Sequence, residues 1–123
     1  MKTDITNRTD IEKLIDYFYE KVKADDQIGY FFTEVVHVNW EKHLPVMYGF
    51  WENILFHTGG YEGNPMQKHI AIHLLSPLKP GHFKRWVLLF FSAVDDLFEG
   101  DNADQIKQRA QSNAQVMEIK VGA

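Results

Sequence analysis

Four side chains in this sequence are of types that do chemistry together: Tyr19, His43, His69 and Trp86. Tyr19 follows Ile11 and Ile15 by helical turns, which puts its phenol at the edge of a buried stripe. His43 stands one turn after Trp40 and one turn before Met47, on the apolar face of a second helix. His69 closes the run Tyr61-Glu62-Gly63-Asn64-Pro65-Met66-Gln67-Lys68-His69, and Trp86 closes His82-Phe83-Lys84-Arg85-Trp86 at the opening of a long apolar helix. A phenol, an indole and two imidazoles aimed at one interior suit a metal cofactor there. One histidine would bind it, and the other groups would handle a small ligand.

Each residue also has a plainer reading when taken alone. A buried phenol needs a partner, because an unpaired hydroxyl costs roughly 1–3 kcal/mol, and a backbone carbonyl can serve. A lone inward histidine is more often a satisfied core residue than a ligand. Trp86 fits its stripe as a large core side chain. His69 and His73 are four apart, so on a helix both rings share a face and can hold one metal, yet this spacing is common by chance. His57, near a helix C-terminus, is explained by the dipole. His82 follows Pro80-Gly81 at a helix entrance and reads as exposed or capping, while His37 carries no signal.

The elements that position these groups are helical. Thr9-Asp10-Ile11-Glu12 reads as a capping box, and Ile11, Leu14, Ile15, Phe18 and Val22 recur behind it at helical spacing. Asp25-Asp26 and Gly29 end that helix, and Tyr30, Phe31 and Phe32 form an aromatic corner. A second helix from near Asn39 carries Trp40, Leu44, Met47, Trp51 and Leu55, and Thr58-Gly59-Gly60 stops it. From Gly59 to Gly81 glycine and proline leave room for a short helix around Met66 to Ala71. The next helix has Phe83, Trp86, Val87, Phe90, Val94 and Leu97 on one face. Leu88, Leu89 and Phe91 make it apolar almost all round, which predicts burial from more than one side. Asn102-Ala103-Asp104-Gln105 starts a last helix with a weaker stripe of Ile106, Ala110, Val116 and Met117. The expectation is one all-α domain over residues 1–123.

Composition narrows the function. Thirteen basic against seventeen acidic residues give a net charge of −4, which argues against nucleic acid and anionic membranes as partners. No cysteine is present, so disulfides, thiolate ligands and iron–sulfur clusters are excluded. No stretch reaches transmembrane length and none resembles a signal peptide, which reads as a cytoplasmic protein.

Taken together, these residues make the chain resemble the group III truncated haemoglobins. The resemblance runs through Phe18-Tyr19-Glu20-Lys21-Val22, Gly29, Phe32, Trp40-Glu41-Lys42-His43, Phe50-Trp51, Tyr61-x-Gly63-x-Pro65, His69 and His82-Phe83-x-x-Trp86-x-x-x-Phe90. It implies a shortened globin fold, a two-over-two helical sandwich around one haem b. In that family reading His69 is the iron ligand, Tyr19, His43 and Trp86 line the distal side, and Phe32 packs on the porphyrin. A slip of one turn in the variable segment after His69 would exchange it for His73. Gly59-Gly60, more typical of the other truncated groups, reads as a local turn.

The resemblance further implies binding of O₂, CO or NO, with Tyr19 and Trp86 as donors that slow release. Tight O₂ is poor for oxygen transport and points to chemistry on the ligand, such as NO dioxygenation or peroxidase-like reduction. Either would need an unidentified reductase. Lys42, Lys68 and Arg85 are candidate partners of the propionates by adjacency alone, and the chain is expected to be monomeric. The rival reading from a different class is a non-haem metal-binding helical bundle using His69 and His73. It calls for inward carboxylates at helical spacing from a histidine, and Glu41 beside His43 does not stand at that spacing. An inert helical interaction module gives no reason for four inward polar aromatic groups.

Overall fold

A computed structural model describes residues 2–32, 40–58 and 78–121. His69, His73, His37, Lys68 and the short helix expected around Met66 lie outside the described residues. Within them the chain forms α1 (Arg8–Ala24), α2 (Trp40–Phe56), α3 (Pro80–Leu97) and α4 (Asp101–Val121). Helix α1 packs on α2 and α3, and α4 packs on α3 and α2, so each helix meets two others. This is the all-α, two-over-two arrangement that the sequence implies.

Helix α1 buries Ile11, Leu14, Ile15, Phe18, Tyr19 and Val22, one continuous stripe at helical spacing. Each such side chain contributes roughly 1.5–3 kcal/mol when taken from water. Its cap differs from the expectation. The helix begins two residues earlier, with Asn7 accepting from the Asp10 N–H at 3.0 Å. Asp10 in turn accepts from the Thr6 N–H at 2.9 Å. Asn7-x-x-Asp10 therefore does the work assigned to Thr9-x-x-Glu12, as expected where a stronger capping residue stands just upstream.

Helix α2 buries Trp51 and Leu55, while Trp40, Leu44 and Met47 are half-buried against the core. It closes on His57, whose φ of 56° is the left-handed conformation that glycine usually supplies. In α3, Pro80 takes the first position, where its missing N–H costs nothing. As predicted, α3 is buried from more than one side, against α1 and α4, and Leu89 is 8% exposed. Its neighbour Leu88 is 57% exposed, so the cover is not complete and α3 keeps a solvent face.

Helix α4 buries Ile106 and, beside it, Ala103, Ala110 and Ala114, small residues that let it lie close against its neighbours. Val116, expected in the stripe, is 48% exposed. The start of α4 is capped from a distance rather than by its own residues. Asp4 accepts from the N–H groups of Asn102 and Ala103, both at 2.9 Å, and Asn102 Nδ2 donates to the Ile5 carbonyl at 2.7 Å. Gly100, at φ 148°, makes this approach feasible, because a Cβ there would sit 2.5 Å from Asp4 Cγ. A single bridge from Thr3 to Phe98 ties the N-terminal segment down. Among the described residues, no helix is long and apolar enough to cross a membrane.

Candidate ligand pocket

Helix α1 delivers Tyr19 into a box of rings. Its centroid lies 5.1 Å from Phe18, 6.0 Å from Phe32, 5.3 Å from Trp40 and 5.5 Å from His43. Phe32 stacks on Trp40 at 5.9 Å, and Trp40 meets the edge of His43 at 5.6 Å. These side chains come from three elements: α1, the corner after it, and the first turn of α2. The spacing of Trp40 and His43, three apart, puts both on the face of α2 that looks at Tyr19.

The Tyr19 side chain is buried, and burial pushes its phenol pKa up, so the hydroxyl stays protonated as a donor. His43 Nε2 lies 3.4 Å from that hydroxyl, at the long limit of a hydrogen bond. A contact this long leaves the O–H able to turn to a better acceptor. Tyr19 is 7% exposed, and a hydrogen bond made in such buried surroundings is stronger than one made in solvent.

Trp86 stands on α3, on the other side of Phe18. Its ring meets Phe18 edge-on at 5.5 Å and stacks on Phe90 at 5.5 Å and Trp51 at 6.3 Å. Of the residues expected at the site, Tyr19, Phe32 and His43 come together directly, and Trp86 joins them through Phe18. His69 and His73 lie outside the described residues. Two contributors were read from sequence as plain stripe residues: Trp40, which touches Tyr19, His43 and Phe32, and Phe18, which bridges Tyr19 to Trp86. The available signal was position, since Trp40 is one turn from His43 and Phe18 adjoins Tyr19.

Two polar residues near the site have other partners. Arg85, a candidate for the propionates, is engaged with Asp25 through Nη2 at 2.6 Å and Nε at 2.8 Å. His82 accepts the Lys79 N–H on Nδ1 at 3.0 Å, which is the capping role expected for it. Its ring edge rests on Phe31 at 4.9 Å. Burial, helped by the Lys79 charge, lowers the His82 pKa and keeps the imidazole neutral.

The described donor set fits a bound haem on one side. A phenol, an imidazole and an indole stand near one another among flat apolar rings, and among the described residues the phenol O–H holds only a long contact. Among the described residues, no group of three or more histidine or carboxylate side chains could hold a metal ion by itself.

No family model matches the chain. It is 32% identical over 128 residues to the group 3 truncated hemoglobin ctb of Campylobacter jejuni, covering 99% of this chain and 98% of that protein. The crystal structure of group III truncated hemoglobin from Campylobacter jejuni superposes with a TM-score of 0.84 at 30% identity. That match covers 98% of this chain and 95% of the other.

Proposed function

The chain belongs to the group 3 truncated haemoglobins, and on that footing we propose that it is a one-domain haem b protein that binds diatomic ligands such as O₂, CO or NO. His69 is the iron ligand in this reading, and Tyr19, His43 and Trp86 line the opposite side. Haem supplies an iron with an open coordination position for the diatomic ligand. The chain's own part is to hold the ring, exclude water and present donors. Phe32 and Trp40 offer flat apolar surface, and Tyr19 O–H and Trp86 N–H offer hydrogen bonds to the ligand's acceptor atom.

The observation that carries the reading is the buried Tyr19 hydroxyl, whose contact to His43 is 3.4 Å long inside a box of rings. A core tyrosine with no function would be expected to hold a short bond to a carbonyl. Donors in this position retard ligand release, which favours chemistry on the bound molecule over delivery. NO dioxygenation and peroxide reduction are the reactions of that kind, and both need electrons from a reductase partner.

The test is the absorption spectrum of the purified chain with haem, reduced, with and without CO, beside His69→Ala and His73→Ala. The expected result is an intense Soret band that moves with CO and is lost or altered in His69→Ala alone. Loss in His73→Ala instead would move the iron ligand by one turn. No band in the parent chain would end the haem reading and bring back a non-haem site built on His69 and His73.

A further inference from the structure

The corner between α1 and α2 is joined to α3 by one carboxylate. Asp25 divides its two oxygens between two tasks. Oδ2 accepts from the N–H groups of Gln27 and Ile28, at 3.0 and 3.1 Å, which shapes the turn after α1. Oδ1 accepts from both Nε and Nη2 of Arg85 on α3, at 2.8 and 2.6 Å. The Asp25 side chain is only 3% exposed, unlike the carboxylate of an ordinary surface pair. Burial alone would raise its pKa; Arg85 and the two backbone donors outweigh that and hold it below the usual carboxylate range.

What Asp25 connects gives this contact its meaning. On the corner side, the turn carries Phe32, whose ring meets Tyr19 and stacks on Trp40. On the α3 side, Arg85 is the immediate neighbour of Trp86. Consecutive side chains on a helix project about 100° apart, so fixing Arg85 fixes the rotation of the turn from which Trp86 points. One turn earlier, His82 rests its ring against Phe31 and Tyr30 of the same corner, at 4.9 and 6.2 Å. Among the described residues the corner thus grips α3 at two places, and of these the Asp25–Arg85 contact is the directional, charge-assisted one.

We propose that Asp25 is a positioning residue for the ligand pocket, its carboxylate setting the corner that bears Phe32 against the helix turn that bears Trp86. Its consequence for ligand release rests on the haem reading, while the clasp itself does not. Stacking on Phe90 and Trp51 fixes the plane of the Trp86 ring; Asp25 fixes where that plane stands relative to Tyr19. A donor displaced by a fraction of an ångström loses much of its bond to a small ligand.

The experiment compares Asp25→Asn and Arg85→Lys with the parent chain, first without haem and then loaded. In the haem-free chain, labelled with nitrogen-15, the Trp86 indole N–H resonance is expected to move and broaden in both variants. Exchange of the Phe31 and Phe32 amides should quicken about tenfold. In the loaded protein the C–O stretching band of the CO complex should shift or split, and O₂ release should change by about threefold. Arg8→Ala, which removes an exposed pair with Glu12 and Glu52, should change none of these.

A lower melting temperature with the Trp86 resonance and the C–O band unmoved would overturn the proposal and leave Asp25 a plain structural residue. If Asp25→Asn fails to fold, Arg85→Lys decides by the same readouts, because it leaves the Oδ2 turn intact. If the parent chain takes up no haem, the haem reading fails separately, and the haem-free resonances still decide on the clasp.

Discussion

Asp4 and Tyr19 are polar side chains set among the packed helices, and the molecule treats them in opposite ways. Asp4 accepts from the N–H groups of Ile5, Asn102 and Ala103 at 2.8–2.9 Å. Those three bonds outweigh the burial that would raise its pKa and hold the carboxyl below its ordinary value. Tyr19, more deeply buried, has a 3.4 Å contact to His43. Where a polar group only holds helices together, its bonding is complete. Among the described residues, that long contact is the hydrogen bond the Tyr19 hydroxyl has. A protein interior satisfies its polar groups as a rule, and under the proposed function this exception is where a ligand would accept.

The largest expected effect breaks the comparison on the structural side. Asp4→Ala leaves the first turn of α4 without its acceptors and should destabilise the fold by about 2 kcal/mol, at the upper end of cap removal, because the cap also anchors the N-terminal segment. Chemical denaturation reads this directly. Ligand release should be unchanged, since Asp4 lies at the far end of α1 from Tyr19. A changed release rate with unchanged stability would erase the distinction between the two sites.

Tyr19→Phe should do the reverse. Removing a hydroxyl whose internal contact is 3.4 Å long sacrifices little folding energy, so denaturation midpoints should stay close to the parent. The O₂ off-rate should rise by about tenfold, the equivalent of roughly 1.4 kcal/mol for one lost donor in a dry pocket. Stopped-flow displacement of O₂ by CO measures it. An unchanged off-rate would remove Tyr19 from the donor set and leave Trp86 and His43 to account for ligand retention.

Most of this molecule is legible in its sequence because helices write their buried face at a fixed period. The α1 stripe from Ile11 to Val22 needs nothing else, and neither does the placement of Tyr19 one turn beyond Ile15. What period cannot supply is contact between elements. Nothing in the residues around Asn102 says that Asp4, nearly a hundred positions away, caps α4. Arg85 beside Trp86 reads as a cation for propionates until the fold brings Asp25 to it. The same limit applies to Leu88 and Leu89. Both are equally apolar, and only the neighbouring helices decide that one is buried and the other faces solvent. At the site, residue type carried the chemistry of Tyr19, His43 and Trp86. Trp40 escaped notice because a tryptophan in a stripe looks the same whether it fills a core or walls a pocket.

The smallest effect concerns His82, which belongs to both halves of the comparison: it completes a helix cap, and it sits on the helix that carries Trp86. Its Nδ1 can accept the Lys79 N–H only while unprotonated. Burial and the Lys79 charge lower its folded pKa below the ordinary value of about 6.5. As pH falls through that value the unfolded chain takes up the proton first, so His82's contribution is present above about pH 6.5 and is lost below it. Asp4 and Asp25, whose pKa values are also lowered, keep their contributions to lower pH and lose them only below about 3.8. Stability should therefore fall in two stages on acidification. His82→Asn keeps a side-chain acceptor at the cap and removes the titration. It should shrink the first stage by about 0.5–1 kcal/mol, the size of one net hydrogen bond, and leave the second as it was. The difference between parent and variant, taken from denaturation at pH 7 and pH 5, is the quantity that counts. A variant whose stability tracks the parent at both values would show that the cap holds without the imbalance in proton binding.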